Sequence, residues 1–439
     1  MSSVLVLGAG FVAGPVVRYL LDRGQRVRVA EMLVEKAEAL VADHPNGEAL
    51  AWNSADSEGL QKLIGEADLV VSLLPAGFHL GVAKQCIAAG KSMVTTSYVS
   101  EEMQALNAEA KAAGVVILNE CGLDPGIDHM SAMRVIDGVR AKGGRVVSFR
   151  SYCGGIPAPE ANNNPFGYKF SWSPRGVLLA GKSAARYLKE KQEINVAGPE
   201  LFGHYWQLKV PGFGELEAYP NRNSLGYLDV YGLEYAQTMF RGTLRYPSWC
   251  EKLRALVDLG YLDTEERDWS GMSYADLCCE RLGIEQADDL QVAAAKQLGL
   301  DAHGHVLEGL AWLDLFSDKP LPVERGGVID ILTETMLAKM QYAPAERDMV
   351  VLYHDFTAEY DEDKRERITS TLIDYGVAGG NSAMSRTVGL PAAACTRLLL
   401  EGKIKARGVM IPTSPEIYAP VLMELEALGI KCKEEAHLV

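Results

Sequence analysis

The chain opens on a short continuous apolar run, Val4-Leu5-Val6-Leu7, of strand length. It passes into Gly8-Ala9-Gly10-Phe11-Val12-Ala13-Gly14 and then into residues 15–21, where apolar positions recur at helical spacing. Gly24 closes that helix, and 27–30 reads as the next strand. Three more apolar runs, at 68–75, 92–98 and 115–119, are separated by helical patterns at 60–65, 80–89 and 101–112. Strands alternating with helices predict an α/β fold with a doubly wound parallel Rossmann sheet over residues 1–129.

After about residue 130 the rhythm changes. Residues 145–152 alternate like a strand, but 153–176 show no period and are dense in Gly, Pro and Asn. A loop of this length inside a domain is either disordered or functional. Its aromatics, Phe166, Tyr168, Phe170 and Trp172, favour an ordered pocket wall. Residues 247–342 read as mainly helical. Alternating runs at 349–360 and 367–375 flank a charged tip at 361–366 and predict an antiparallel hairpin beside the strand near Val146. A small-residue helix at 383–400 follows Gly379-Gly380, and the final segment is expected to pack back on the first domain. The expected division is 1–129 joined by about 390–439, a mixed-sheet α/β substrate and dimerisation domain at 130–246 and 343–389, and a small helical domain at 247–342.

A strand, a glycine turn, a helix and a second strand form the context that a dinucleotide fingerprint requires. Gly8 suits the tight turn, Gly10 lets the backbone approach a pyrophosphate, and Ala13 keeps the third position small. Amides at the helix start would face the phosphates. In such sheets ligands bind beyond the carboxyl ends of the strands, where Leu74-Pro75, Thr96-Ser97-Tyr98 and 121–125 fall. Glu31 stands at the end of the second strand, 17 residues after Gly14. A carboxylate there can accept both adenosine ribose hydroxyls and would repel a 2′-phosphate. Arg28 lies along the strand and Lys36 a turn into the next helix, so NAD is expected over NADP, with NADP possible.

The formal net charge of −15 makes nucleic acid an unsuitable partner, because phosphate binding needs a clustered basic surface. An anionic small molecule would need a local basic pocket, and Arg222, Arg241 and Arg245 lie in Gly/Pro-bounded stretches read as turns. The eight cysteines include no CxxC pair and no His at metal-ligand spacing, so no metal is expected; His303 and His305 lack further ligands. Scattered cysteines suggest a reducing compartment. With the first strand expected at Val4 and no apolar run of membrane-spanning length, a soluble cytoplasmic protein without leader or membrane partner is expected.

Several long segments carry a resemblance: TTSYVS at 95–100, GLDPGIDHM at 122–130, SYCGGIPAPE at 151–160, NPFGYKFSWSPRGVL at 164–178, YPNR at 219–222 and RGTLRYP at 241–247. The chain resembles the glutamate-forming saccharopine dehydrogenases (saccharopine reductases) over nearly its whole length. The resemblance implies Rossmann, mixed-sheet and small helical domains, usually as a homodimer. It implies oxidation of saccharopine to glutamate and 2-aminoadipate 6-semialdehyde. Tyr98, Asp124 and Cys153 match residues near the reacting carbon, with Asp124 the preferred proton shuttle and Cys153 a pocket liner. Ser97, Tyr98, Arg222, Thr243 and Arg245 match substrate contacts. Gly8, Gly10, Phe11, Val12, Glu31, Leu74, Pro75, Thr96, Leu123, Asp124 and Ser171 are the implied cofactor contacts. Fungal members use NADP and tend to have a basic residue past the second strand; Glu31-Met32 looks more like the dehydrogenase half of the bifunctional aminoadipic semialdehyde synthase, which points to lysine breakdown. A carboxynorspermidine synthase-like enzyme and a non-catalytic NAD-binding regulator are the alternatives.

Overall fold

The computed structural model describes residues 1–360 and 364–439, so part of the expected hairpin tip, 361–363, lies outside the described residues. The chain divides into two compact units, one of Met1–Arg145, Ala358–Glu366 and Leu372–Val439, the other of Val146–Thr357 and Arg367–Thr371.

The first unit is built on a seven-stranded sheet ordered Gly408–Met410, Val116–Leu118, Ser92–Thr95, Leu69–Ser72, Ser3–Leu7, Arg26–Glu31, Gly47–Ala51. Every pairing within it is parallel. The strand order reverses at Ser3–Leu7, which pairs with Arg26–Glu31 on one side and Leu69–Ser72 on the other. Such a reversal opens a crevice at the carboxyl ends of the strands. The strands are apolar on both faces because both faces are covered. Leu5, Leu7 and Val70 pack with Leu60, Ile64 and Val82 from the helices on one side. On the other side helix Ala383–Leu400 crosses helix Ala13–Asp22 so closely that a Cβ on Gly389 would sit 2.7 Å from the Val12 carbonyl oxygen. That approach braces the start of the helix that follows the glycine turn.

The division differs from the three-part expectation: 358–366 and 372–389, expected with the substrate domain, fall in the first unit. Helix Ile127–Ala141 belongs with the first unit, where Tyr418 Oη donates to Asp137 at 2.7 Å and Arg134 pairs with Glu426 at 2.8 Å. The helices between 247 and 342 fall within the second unit instead of forming one of their own.

The second unit carries a mixed sheet running Trp206–Val210, Gly214–Pro220, Thr238–Arg245, Arg145–Pro157, Asp348–Glu359, Arg365–Tyr375. Thr238–Arg245 is parallel to Arg145–Pro157 and antiparallel to Gly214–Pro220. The strand expected at 145–152 therefore runs on to Pro157, and Cys153 is a strand residue, not the first residue of a loop. Likewise Arg241 and Arg245 lie on a strand, not in a turn. The stretch resembled a polar loop because these two charged side chains are buried where apolar residues would otherwise stand. The remaining loop is ordered, with Phe166, Tyr168 and Phe170 all buried. The core is aromatic: Phe149 stacks on Phe356 with centroids 4.6 Å apart and meets Tyr231 edge-on at 5.7 Å. Phe149→Ala would leave a cavity among these rings and is expected to lower unfolding free energy by ~3–5 kcal/mol in a urea titration.

Candidate active site

The glycine turn leaves the first sheet directly: Gly8 N–H donates to the Ala30 carbonyl at 3.0 Å, and Gly8 adopts φ +96, which glycine tolerates best. Nothing lies within 4 Å of the place a Gly10 Cβ would occupy. Among the described residues the N–H groups of Gly10, Phe11 and Val12 make no hydrogen bond. Helix Ala13–Asp22 has neither a side-chain cap nor an acid in its first turn. Unsatisfied amides at a helix start favour a phosphate. The Phe11 side chain is 75 % exposed beside them. These residues fit a dinucleotide pyrophosphate.

Glu31 reaches back to this turn. Its Oε2 accepts from Ala9 N–H at 2.8 Å, and Oε1 from Met32 N–H at 2.9 Å and Leu33 N–H at 3.4 Å. Burial raises the carboxyl's pKa, but these amides and Lys36 outweigh it and hold Glu31 below the usual carboxylate range. It is an anion at neutral pH, placed where an adenosine ribose would lie. Arg28 is not spare for a phosphate, being buried and paired with Glu66 at 2.8 Å and Glu48 at 3.2 Å. Leu74 and Pro75 follow Leu69–Ser72, with Pro75 capping helix Ala76–Ala88, and Thr96 follows Ser92–Thr95. Of the expected cofactor residues only Ser171 belongs to the second unit, where its Oγ is buried without a hydrogen bond.

The residues expected near the reacting carbon in the first unit, Tyr98 and Asp124, sit at the same edge of the first sheet. Tyr98 Oη donates to Asp124 Oδ1 at 3.1 Å. The loop holding Asp124 is fixed through its backbone. Glu120 N–H donates to Ser97 O at 3.1 Å, Cys121 N–H to Thr95 O at 3.0 Å, and Gly122 N–H to Pro125 O at 2.9 Å. The Asp124-Pro125 peptide is cis. A Cβ on Gly126, at φ +148, would fall 2.0 Å from Gly122 O, so no other residue fits there. Leu123 is buried beneath this loop.

Three residues that sequence reasoning passed over organise this edge. Glu120 is buried, accepts from Val99 N–H at 2.9 Å and pairs with His129 at 2.6 Å, tying the Ser97–Val99 segment to the Asp124 loop. His79 is buried between Ser72 and Ser97, at 2.9 Å and 2.8 Å. No periodicity flags a lone histidine in an apolar helix; the buried acid and base before and after the GLDPG segment were the available signal.

In the second unit, strand register sets Tyr219 beside Thr243 and Thr243 beside Cys153 on three adjacent strands. Arg245 lies two residues beyond Thr243 on the same face. It is buried, and no carboxylate among the described residues pairs with it. Its Nη1 donates to Leu244 O at 2.7 Å, its Nε has no partner, and the guanidinium lies over Tyr168 and Trp249 at 4.8 Å and 5.5 Å. Burial pushes the Tyr219 phenol up to about 12, against the pull of Arg245. Arg222 follows the neighbouring strand with φ +52 and an exposed side chain. Among the described residues no group of three or more His, Cys, Asp or Glu could hold a metal ion, and His305 pairs with Glu251 at 2.6 Å. No described helix is long and apolar enough to cross a membrane.

A dinucleotide cradle beside a tyrosine–aspartate pair defines a nicotinamide-type oxidoreductase site. The chain matches the family models described as saccharopine dehydrogenase NADP binding domain over residues 4–118 and saccharopine dehydrogenase C-terminal domain over residues 122–430. It is 41% identical to "Saccharopine dehydrogenase [NADP(+), L-glutamate-forming]" of Pyricularia oryzae, covering 99% of this chain and 98% of the relative. It is 38% identical to the mitochondrial alpha-aminoadipic semialdehyde synthase of Bos taurus, covering 97% of this chain but 47% of that longer protein. The apo saccharopine dehydrogenase (L-Glu forming) structure from Saccharomyces cerevisiae superimposes with a TM-score of 0.92 at 39% identity, covering 100% of both chains. The chain belongs to the L-glutamate-forming saccharopine dehydrogenase family, oxidoreductases acting on CH–NH donors. These comparisons do not support the NAD preference expected from Glu31: the matched family model and the fungal relatives are named for NADP.

Burial pushes the His79 pKa down to about 4 from an ordinary 6.5. The unfolded chain then takes up this proton first, so the contribution is complete above the unfolded value and is lost as pH falls through the window between the two. The wild type is expected to lose up to ~3 kcal/mol of stability there on this account. Denaturant titrations from pH 7 to 4 should show that slope reduced in His79→Gln.

Proposed function

We propose that this protein is an NAD(P)-dependent saccharopine dehydrogenase that converts saccharopine and water to glutamate and 2-aminoadipate 6-semialdehyde. The observation that carries the substrate assignment is the buried Arg245 guanidinium without a carboxylate partner. Burying such a charge is costly unless an anion meets it, and a guanidinium binds a carboxylate through two parallel hydrogen bonds. Saccharopine offers three carboxylates; Ser97, Arg222, Thr243 and Arg245 receive them in this reading.

The bound dinucleotide supplies a nicotinamide ring that accepts hydride from the lysine-derived carbon beside the secondary amine. Loss of hydride leaves a C=N bond on the substrate. Asp124 takes a proton from the water that adds to this bond and returns it to the departing amine nitrogen. Tyr98 holds the Asp124 carboxylate in place by donating to it. Cys153 lines the pocket, because neither hydride transfer nor hydrolysis of the C=N bond requires a covalent enzyme intermediate.

We further read NAD as the preferred cofactor, against the NADP(+) in the fungal relatives' names. An anionic Glu31 beside the ribose position would face a 2′-phosphate with like charge. NAD preference suits oxidation, and hence lysine breakdown. The eight free thiols suit a reducing cytoplasm, and the family resemblance a homodimer.

Absorbance of the reduced cofactor, followed with saccharopine and either NAD or NADP, checks both parts. Turnover is expected with saccharopine, with higher kcat/KM for NAD. Glu31→Ala should move the NAD/NADP ratio toward NADP by roughly tenfold or more. A preference for NADP that Glu31→Ala leaves unchanged would reject the cofactor reading. Arg245→Ala is expected to lower kcat/KM for saccharopine by at least about 30-fold, because it removes one partner of a buried charged pair. Unchanged kcat/KM would reject the carboxylate assignment.

A further inference from the structure

His79 is the fourth residue of helix Ala76–Ala88, which follows strand Leu69–Ser72 after a short link and is capped by Pro75. The side chain is 4% exposed. Its Nδ1 lies 2.9 Å from Ser72 Oγ, its Nε2 2.8 Å from Ser97 Oγ and 3.3 Å from Thr95 Oγ1. Three strand-end hydroxyls thus converge on one imidazole. No carboxylate is among its partners, and the positive end of a helix disfavours a second proton. Burial acts in the same direction. The ring is neutral, with one N–H to place.

Counting donors places it. Ser72 is fully buried, and His79 Nδ1 is its hydroxyl's partner. If Nδ1 carried the hydrogen, the Ser72 hydroxyl proton would be buried without an acceptor, which is costly. If Ser72 donates to a bare Nδ1, that proton is satisfied and the ring hydrogen stands on Nε2. Nε2–H then donates to Ser97 Oγ, the nearer of its two neighbours. Ser97 is half-buried and makes no other side-chain hydrogen bond. With one lone pair engaged by His79, its own O–H is left to point elsewhere and needs an acceptor.

We propose that His79 is a positioning residue that sets Ser97 as an outward hydrogen-bond donor for a carboxylate oxygen of the substrate. This deepens the saccharopine reading and rests on it. The chain from Ser72 through His79 to Ser97 fixes the direction of the serine hydroxyl before substrate arrives, so less ordering remains to be done on binding.

Two measurements test it. The first is kinetic, on the full-length enzyme, with Ser97→Ala, His79→Leu, His79→Gln and the double variant that combines His79→Leu with Ser97→Ala. His79→Leu should raise saccharopine KM by about tenfold, with kcat and cofactor KM changed by no more than about two- to threefold. His79→Gln, which keeps an N–H near Nε2, should recover part of that loss. The double variant should be no worse than Ser97→Ala alone, because both changes remove one interaction. Effects that multiply in the double variant while Ser97→Ala alone raises KM would overturn the role of His79 and leave the saccharopine reaction standing. An unchanged KM in Ser97→Ala would overturn the proposal at Ser97. No turnover of saccharopine by the wild type would instead reject the functional reading itself.

The second needs no activity and no folded variant of unaltered stability. In the wild type with 15N-labelled histidine, the His79 resonances should show a protonated Nε2 and a bare Nδ1 at pH 7. A ring protonated on Nδ1, or on both nitrogens, would overturn the proposal.

Discussion

All seven strands of the first sheet run in one direction, so all end at one edge, and that constraint collects the chemistry of the first unit. A parallel sheet must return its chain through helices, which places every loop between a strand end and a helix start at the same rim. Each such loop exposes amides that the helix cannot use. At this rim the glycine turn leaves three amides unbonded, Glu31 folds back onto Ala9, and Tyr98 meets Asp124. The interior beneath is buried and largely apolar, so the polar groups that turn inward pair with one another. Glu120 with His129, and His79 with its hydroxyls, are the results. They join neighbouring loops and thereby fix the groups that face outward.

The second unit solves a different problem with the same physics. It buries Arg245 against the adjoining rings of Tyr168 and Trp249 without supplying a carboxylate. Aromatic faces offset part of the desolvation, but a guanidinium with an unbonded Nε retains unsatisfied donors. In the proposed function an anionic ligand meets this cation. Glu217, its register partner across the sheet, is spent on the Ser248 and Cys250 amides at the start of helix Trp249–Asp258. The carboxylate that could have neutralised Arg245 caps a helix instead.

The glycine turn, Glu31 and the order of strands and helices in the first 120 residues were legible because each rests on local pattern. The turn needs particular residues, and a buried parallel strand reads as an apolar run. Cys153 and Arg245, expected at the site, and Arg241, one of the three candidate basic residues, were assigned to loops and turns but lie on strands. A strand that buries charged side chains breaks the apolar–polar alternation that identifies strands. His79 and Glu120 were missed because their meaning lies in contacts made across 18 and 9 residues, to Ser97 and to His129. The place of helix Ile127–Ala141 in the first unit depends on partners almost 300 residues away, such as Tyr418 and Glu426, which no local period reveals.

The cofactor shows where likeness and local chemistry separate. Relatives similar over the whole chain are named for NADP(+), while the residue at the ribose position here is an anion held by three amides. Overall identity reports the shared mass of the fold, whereas like charge between one strand-end carboxylate and a 2′-phosphate is the basis of the NAD preference proposed above. The reaction itself is independent of that choice. Saccharopine has a secondary amine flanked by two oxidisable carbons, so the side on which the bond is cleaved identifies the enzyme. Mass spectrometry of the products formed from saccharopine with either oxidised dinucleotide is the most direct measurement. Glutamate and 2-aminoadipate 6-semialdehyde are expected; lysine and 2-oxoglutarate, or no cleavage with either cofactor, would contradict the account.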